Sequence, residues 1–324
     1  MRIVILGGTQ FIGRAIVEEL IVHGHHVLVV HRGEHEPGDL PSCPHLHLHR
    51  HELRRVPAQL EVFGPEAVVD ASALTRVDAE AVAGVFPQDV RFVVLSSQDV
   101  YRAYASLRAG VVTDPVPLDE TSPLRTERYP YRGKLPGLDD YEKLDVEEVY
   151  RQRAATVCRL APVYGEHDYQ RREEFILRRV RAGRPRIPVG SGSWLWSRCY
   201  VRDVAAGVRL AVESDATAGE VFNLCEARTW PIGEWARRIL AAAGSDAELV
   251  RVRESLVPED LWSTRTLPQH LLVDASKARA LLGWTETDPN EAVRRSVRWH
   301  LAHPPDNADP DFAADDRALA SAES

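Results

Sequence analysis

Lysine is almost missing from this sequence. Among its 40 basic residues only positions 134, 143 and 277 are lysine, so each needs its own explanation, a compact ammonium not being interchangeable with a planar guanidinium. Cysteine is scarce as well. Cys43, Cys158, Cys199 and Cys225 lie far apart with no Cys-x-x-Cys spacing, which speaks against a disulfide frame or a zinc site and for reduced thiols in a cytoplasmic protein. No apolar run approaches the roughly 18 residues of a membrane helix. The first strand signal, Ile3-Val4-Ile5-Leu6, follows Met1 so closely that no signal peptide is expected. Positive charge is not in excess either: the net charge is −8, and nothing global recommends nucleic acid as a partner. There are no internal repeats. What remains is an ordinary globular composition whose 324 residues suit one large domain or two.

Strand and helix signals alternate over the first third. After the run at residues 2–6 comes a glycine turn, then an amphipathic helix with Ile12, Ile16 and Leu20 on one face, stopped by His23-Gly24. Strands are predicted at Val27–Val30 and Leu46–Leu48, a helix at Pro57–Phe63, and buried strands at Ala67-Val68-Val69 and Phe92-Val93-Val94-Leu95. Unbroken apolar strands separated by helices indicate a parallel sheet covered on both faces, an α/β fold. Residues 102–138, rich in Pro, Tyr, Arg and Gly, are too long for a plain connection and read as a functional loop or as disorder. Helix resumes at Lys143–Tyr150 and strand at Thr156–Leu160. An arginine-rich helix (171–182), a helix at 233–243 and a last helix at 290–302 follow. Residues 304–324, with six acids, one base and three prolines, are expected to form a disordered tail.

The most informative segment is Gly7-Gly8-Thr9-Gln10-Phe11-Ile12-Gly13, between the first strand and its helix. A dinucleotide needs small residues there: the backbone turns tightly and approaches a pyrophosphate, and the helix N-terminus aims unpaired amides at that anion. Gly7 makes the turn, Gly13 lets the helix pack on the sheet, and Gln10 stands where a glycine is expected. The second strand ends Val30-His31-Arg32 without an acid to accept from an adenosine ribose. Arg32 either pairs with a 2′-phosphate, which favours NADP(H) over NAD(H), or is a solvated loop arginine.

With these residues in view the chain resembles the short-chain dehydrogenase/reductase superfamily, in its extended or atypical, NAD-dependent epimerase/dehydratase-like branch. The turn resembles that branch's G-x-x-G-F-I-G. Further matches are Pro65-Glu66-Ala67-Val68-Val69-Asp70, Ser96-Ser97-Gln98-Asp99-Val100-Tyr101, Arg159-Leu160-Ala161-Pro162-Val163-Tyr164-Gly165, Tyr200-Val201-Arg202-Asp203-Val204-Ala205 and Gly219-Glu220-Val221-Phe222-Asn223. The resemblance implies a doubly wound, Rossmann-type parallel sheet with a smaller, discontinuous C-terminal substrate domain. Residues 1–165 with about 199–227 would hold the dinucleotide, and 166–198 with 228–303 the substrate. It implies that Ser97 orients the substrate's carbonyl or hydroxyl, a role that competes with a plain cap. It implies that Lys143 binds the nicotinamide ribose. Ala71, Ser72, Ser96, Lys143, Pro162 and Val163 would join Gly7, Thr9, Gln10, Phe11, Ile12, Gly13 and Arg32 around the cofactor. A homodimer is implied too.

The family's Tyr-x-x-x-Lys is where the sequence departs. Its tyrosine is the general acid/base, and its lysine lowers that tyrosine's pKa; four-residue spacing stacks both on one helix face. Lys143 resembles the family lysine, yet Asp139 stands four residues before it, and Tyr141 is only two away. Asp139 reads first as an N-cap with Glu142 completing a capping box. Alternatively, a late helix start lets Tyr141 reach the site, or Asp139 itself acts as acid/base, which the neighbouring ammonium opposes.

Three further patterns stand out. His45, His47, His49 and His51 alternate, so that one strand would present all four on one face; a metal surface and a polar edge strand both fit, and no metal is assigned. Arg171, Arg172, Arg178, Arg179, Arg181, Arg184 and Arg186 crowd a segment near Trp194, Trp196 and Arg198, which suits either an anionic, nucleotide-bearing substrate or a solvated face over core tryptophans. Arg125, Arg128, Tyr129, Tyr131 and Arg132 could belong to a substrate lid, a dimer contact or a mobile loop. The reading as a whole is an NAD(P)-dependent epimerase, dehydratase or reductase acting at a hydroxyl or carbonyl carbon of a sugar nucleotide or related metabolite, with Ser97, Tyr141 and Lys143 catalytic. The alternatives are a dinucleotide-binding protein without redox turnover (a sensor, RNA-associated factor or assembly subunit) and the same fold carrying out elimination or ring rearrangement.

Overall fold

A computed structural model describes residues 1–306 and 311–322. The first strand, β1 (Arg2–Leu6), shows why the sheet is covered on both sides: Ile3 and Ile5 enter one apolar cluster while Val4 and Leu6 enter another. Alternate side chains of a strand point to opposite faces, so an all-apolar strand needs two cores. After β1 the chain forms α1 (Phe11–Val22), β2 (His26–His31), β3 (His45–His47), a 3₁₀ turn at Arg50–Arg55, α2 (Pro57–Phe63), β4 (Ala67–Asp70), α3 (Arg76–Ala83) and β5 (Arg91–Ser97). Then come α4 (Arg102–Ala109), α5 (Lys143–Arg151), β6 (Thr156–Leu160), β7 (Val163–Tyr164), α6 (Glu174–Arg181), β8 (Arg186–Val189), β9 (Cys199–Tyr200) and α7 (Val201–Glu213). The chain closes with β10 (Val221–Leu224), α8 (Ile232–Ala242), β11 (Glu248–Arg251), α9 (Ser276–Leu282), α10 (Pro289–Ala302) and α11 (Ala313–Ala320).

Seven strands make one sheet in the order β10-β6-β5-β4-β1-β2-β3, every pairing parallel. The α/β, doubly wound Rossmann-type expectation holds. Helices α1 and α7 cover one face through Ile16, Val17, Leu20, Val204, Val208 and Ala211; α3 and α5 cover the other through Ala79, Val82, Val146 and Tyr150. The chain runs from β1 to β2 on one side and from β4 to β5 on the other, so the connections leaving the C-terminal ends of β1 and β4 part and open a crevice there, where ligands bind in this architecture. No described helix is long and apolar enough to cross a membrane. All four cysteines are free thiols.

Of the two readings open for residues 102–138, disorder does not hold: residues 102–109 form α4, and the remainder is tied to distant parts of the chain. The Leu118 amide donates to the Leu272 carbonyl at 2.8 Å and the Asp274 amide to the Leu118 carbonyl at 2.7 Å. Arg125 and Glu142 form an ion pair with both side chains fully buried. The segment is ordered by long-range partners that local composition does not reveal.

The disordered tail expected at 304–324 also needs correction over its described residues; residues 307–310 and 323–324 lie outside them. Helix α11 buries Asp315, Ala318 and Leu319. Asp315 accepts two hydrogen bonds, both 2.7 Å, from the fully buried Arg179 of α6. A buried guanidinium must be paired, and Asp260 supplies only part of what Arg179 needs. The acid count that suggested disorder hid a helix with one apolar face. Asp315→Asn is expected to lower stability by about 2 kcal/mol in urea unfolding; an unchanged midpoint would show that α11 is not docked through this pair.

Candidate functional site

The turn between β1 and α1 is a cradle that only glycine can build. Gly7 has φ +84°, and a Cβ there would lie 2.6 Å from Ser72 Cβ; a Cβ on Gly13 would lie 1.8 Å from the Gly7 carbonyl oxygen. Gly8, not singled out in the sequence, is equally confined by Val17 and Val29 at 2.9 Å. Gln10 replaces the expected middle glycine without strain because its backbone is extended, φ −131°. Phe11 instead takes the unusual φ of +38° at the first position of α1, a local cost of the kind that collects at ligand turns. A cavity of about 430 Å³ opens over this turn.

Of the expected cofactor residues, Gly7, Thr9, Gln10, Phe11, Ile12, Gly13, Arg32, Ala71 and Ser72 line the cavity together. Arg50, Leu74, Asp78 and Tyr169 join them without a sequence signal that marked them. Behind the lining, Asp70, fully buried at the end of β4, accepts from Arg50 and from the Ser72 amide. Burial alone would raise this carboxyl; the bidentate Arg50 guanidinium at 3.0 Å and the Tyr150 hydroxyl at 2.5 Å outweigh it and hold the group below its usual range. Arg32 is exposed and pairs with Glu34 at 2.8 Å.

Ser96, Lys143, Pro162 and Val163 do not line this cavity. Strand alternation turns Ser96 away from Ser97, and its hydroxyl donates to Glu147 at 2.6 Å. Glu147 in turn is paired with Arg159 at 2.8 Å. Pro162 lines a second cavity, and Val163 is buried in β7. Lys143 lies just behind the wall, its ammonium donating to the carbonyls of Ala73 at 2.6 Å and Leu95 at 3.0 Å. Burial lowers it to about 8, against the pull of Asp70 and Asp99.

The beginning of α5 resolves the tyrosine question differently from the first sequence reading. Asp139 is not the N-cap: it is exposed and accepts from the Gly133 amide at 2.8 Å. Nor does it reach Lys143 as an acid/base. Glu142 caps instead, accepting from the Leu144 amide at 3.0 Å, and the same carboxylate holds Arg125 and the Tyr129 amide. Glu142 is therefore extended, with φ −155° and ψ 92°. In an extended chain residues i and i+2 share a side, so Tyr141 and Lys143 face the same region although only two positions separate them. The Tyr141 hydroxyl faces Asp99 and Ser97; burial and then the Asp99 charge push its pKa well up. Ser97 both caps the short turn at Gln98–Val100, accepting from the Asp99 amide at 3.1 Å, and meets Tyr141.

Asp99 is the residue the sequence reading passed over, though it stands inside a motif that was quoted. It is buried, accepts from the Tyr131 hydroxyl at 3.0 Å, and leaves Oδ1 without a partner among the described residues. Both amide atoms of the neighbouring, fully buried Gln98 are unpartnered too. Such orphaned groups are rare unless a ligand or water completes them.

A second cavity of about 460 Å³ is lined by Arg171, Arg172, Trp196, Arg198, Trp235 and Trp262 among others. Arg198 is buried against the Trp235 ring, 3.9 Å from its centroid, with Nη2 unpartnered among the described residues. Burial lowers its pKa to about 10. The remaining arginines are mostly committed elsewhere: Arg179 to Asp315 and Asp260, Arg181 to Glu174, Arg184 to Asp316. Trp194 is a core residue, its indole donating to the Gln269 carbonyl at 2.8 Å. Of the suspected lid, Arg125 pairs with Glu142, Arg128 with Asp145 and Arg132 with Asp140, and Tyr131 reaches Asp99, so the segment is clamped onto the Ser97–Tyr141 cluster. The four alternating histidines do not share a face: β3 ends at His47, and His49 caps the following turn.

Comparison with known proteins gives a match to the NAD dependent epimerase/dehydratase family over residues 3–85 and 80–225. The chain belongs to this family. It is 25% identical to the chloroplast stem-loop binding protein of 41 kDa b of Arabidopsis thaliana, over 98% of this chain and 84% of that one. It is 26% identical to the 2'-dehydrokanamycin reductase of Streptomyces kanamyceticus, over 83% and 74%. In fold it matches the UDP-glucose-4-epimerase of Stenotrophomonas maltophila, solved with bound NAD and formylated UDP-arabinopyranose, with a TM-score of 0.71, 19% identity and 93% and 98% coverage. The cradle lies at the switch between β1 and β4. In this family member Gly13→Ala is expected to lower stability by about 3 kcal/mol in denaturant unfolding, through the forced clash with the Gly7 carbonyl. A loss below about 0.5 kcal/mol would mean that the turn is not packed that tightly.

Proposed function

We propose that the protein is a nicotinamide-dinucleotide-dependent enzyme of the epimerase, dehydratase or reductase type, acting at a hydroxyl or carbonyl carbon. The observation that carries the reading is the glycine cradle at the head of α1, together with a Tyr141 hydroxyl that faces Ser97 and Asp99. The cradle fits the cofactor: its amides at the head of α1 would take the pyrophosphate, and the absence of Cβ atoms at Gly7 and Gly13 leaves the backbone bare for it. Arg32, with no acid at the end of β2, favours a 2′-phosphate and hence NADP(H), in exchange for its pairing with Glu34. When bound, the dinucleotide supplies or accepts a hydride.

The chain's own residues handle the proton. Tyr141, kept neutral by burial and by Asp99, is a proton donor to the oxygen of a carbonyl being reduced. Ser97 holds that oxygen with a second hydroxyl. Lys143 would bind the nicotinamide ribose by turning its ammonium from the Ala73 and Leu95 carbonyls that hold it. The two-residue Tyr-x-Lys spacing, made workable by extended Glu142, is an atypical form of the family's acid/base pair. The second cavity supports an anionic substrate with a flat group, which a sugar nucleotide would satisfy: Arg198 offers an unpaired donor and Trp196, Trp235 and Trp262 offer ring faces. Cytoplasmic location and a homodimer belong to the same proposal, as does the division into a dinucleotide part and a substrate part.

A second reading, a dinucleotide-binding protein without turnover that associates with RNA, is favoured by the similarity to a chloroplast stem-loop binding protein across nearly the whole chain. The net charge of −8 weighs against it. Tight stem-loop RNA binding that persists at moderate salt, with no substrate oxidised or reduced, would select it.

With a panel of carbonyl substrates and reduced dinucleotide, Tyr141→Phe is expected to lower kcat about 100-fold or more, and Lys143→Ala to do likewise while raising KM for the dinucleotide. The ammonium exists below its pKa, so activity should fall as pH rises through about 8. Turnover at wild-type rates in both variants would overturn the assignment.

A further inference from the structure

Beside the first cavity, which His31 also lines, one cluster of side chains among the described residues is arranged as ligands. His31 at the end of β2, Glu36 in the loop that follows, and His45 and His47 on one face of β3 each offer one atom, and these atoms all lie within 4.8 Å of one another. His31 Nε2 is 2.8 Å from His45 Nδ1, and His47 Nε2 is 2.8 Å from Glu36 Oε2. Glu36 Oε1 lies 3.4 Å from His45 Nδ1, and Glu36 Oε2 lies 3.9 Å from His31 Nε2. Tetrahedral zinc, with bonds of roughly 2.0–2.1 Å to histidine and carboxylate, sets its ligand atoms about 3.3 Å apart. The observed separations scatter around that value.

We propose that His31, Glu36, His45 and His47 form a four-coordinate site for a divalent first-row transition ion of the zinc, cobalt or nickel class. Three imidazole nitrogens and one carboxylate suit borderline ions and not calcium or magnesium, which take oxygen cages. The outer nitrogen of His45 is already oriented by Cys43 Sγ at 3.5 Å, the kind of outer contact that fixes a ligating ring. His31 and His45 are nearly buried while Glu36 and His47 open to solvent, which gives the ion a path in. One contact must yield: the Gly33 amide points at His31 Nδ1 from 3.2 Å. Coordination through Nε2 leaves the proton on Nδ1, so this contact opens, and Gly33, at φ +81°, sits in a turn where backbone can shift. Without an ion the same atoms make a ladder of neutral hydrogen bonds from Gly33 through His31 and His45 to Cys43. The ion would staple the β2–β3 loop, whose residues Arg32, Glu34 and His35 wall the first cavity. The site itself rests on the four side chains alone and stands whether or not the protein turns over a substrate.

The test uses the full, untagged chain, stripped with chelator and titrated with Co²⁺, then with Zn²⁺ in competition. The expected result is one Co²⁺ per chain with the intense visible bands of four-coordinate cobalt, displaced by Zn²⁺, and a rise in melting temperature on binding. His45→Ala, His47→Ala and Glu36→Ala, checked for native circular dichroism, should each weaken binding about tenfold or more and lose the thermal stabilisation. His51→Ala, outside the cluster, and Cys43→Ser should keep the four-coordinate spectrum. Weak six-coordinate binding, no stoichiometric uptake, or binding unchanged in the ligand variants would overturn the site and leave the hydrogen-bonded ladder as its description. Collapse of binding in Cys43→Ser would overturn this donor set.

Discussion

The closest approach in the molecule that side chains could not tolerate is the one between Gly13 and the Gly7 carbonyl. It sets how near α1 comes to the sheet, and with it where the amides at the head of that helix point. Parallel strands buried on both faces fix β1 in the middle of the sheet; the sheet order opens a crevice at its end; and the glycine turn lines that crevice with backbone. Each step follows from the one before. In the proposed reading a helix N-terminus held at that point would take the pyrophosphate, and Arg32 would serve only a 2′-phosphate.

A second constraint decides the chemistry nearby. Glu142 is buried with Arg125, and its carboxylate also caps α5. Those demands keep residue 142 extended, so that α5 starts only at Lys143. In the proposed site a two-residue spacing across this extended residue would stand in for the usual four-residue spacing between a tyrosine and a lysine on one helix face. Removing either partner would strand a buried charge, at a cost of roughly 3–5 kcal/mol, so this local geometry is held by an energy larger than the preference of the segment for helix.

The sheet was legible because its strands are apolar throughout and its turn is glycine-bound; both signals are local. Gly7 and Thr9 to Gly13 could be named for the same reason, and Ala71 and Ser72 through the family resemblance. Asp99 and Arg50 were not, since an acid after a strand and an arginine opening a 3₁₀ turn have no signature until Tyr131 and Asp70 meet them across 32 and 20 residues. The capping misreading at Asp139 came from applying a sound local rule where a distant arginine had already claimed Glu142. The tail misled for a related reason: Asp315 counts as a solubilising charge in composition and as a buried partner of Arg179 in the fold. The alternating histidines were visible as a pattern, but the acid that completes the group, Glu36, sits in the preceding loop at no regular spacing.

The account stands or falls on the dinucleotide cradle. Calorimetric titration of the wild-type chain with NAD, NADH, NADP and NADPH tests it most directly. Saturable binding of at least one of them to a single site per chain is the predicted result, weakened by a competing adenosine diphosphate that occupies the same amides. Absence of heat with all four, in protein shown to be folded, would contradict it.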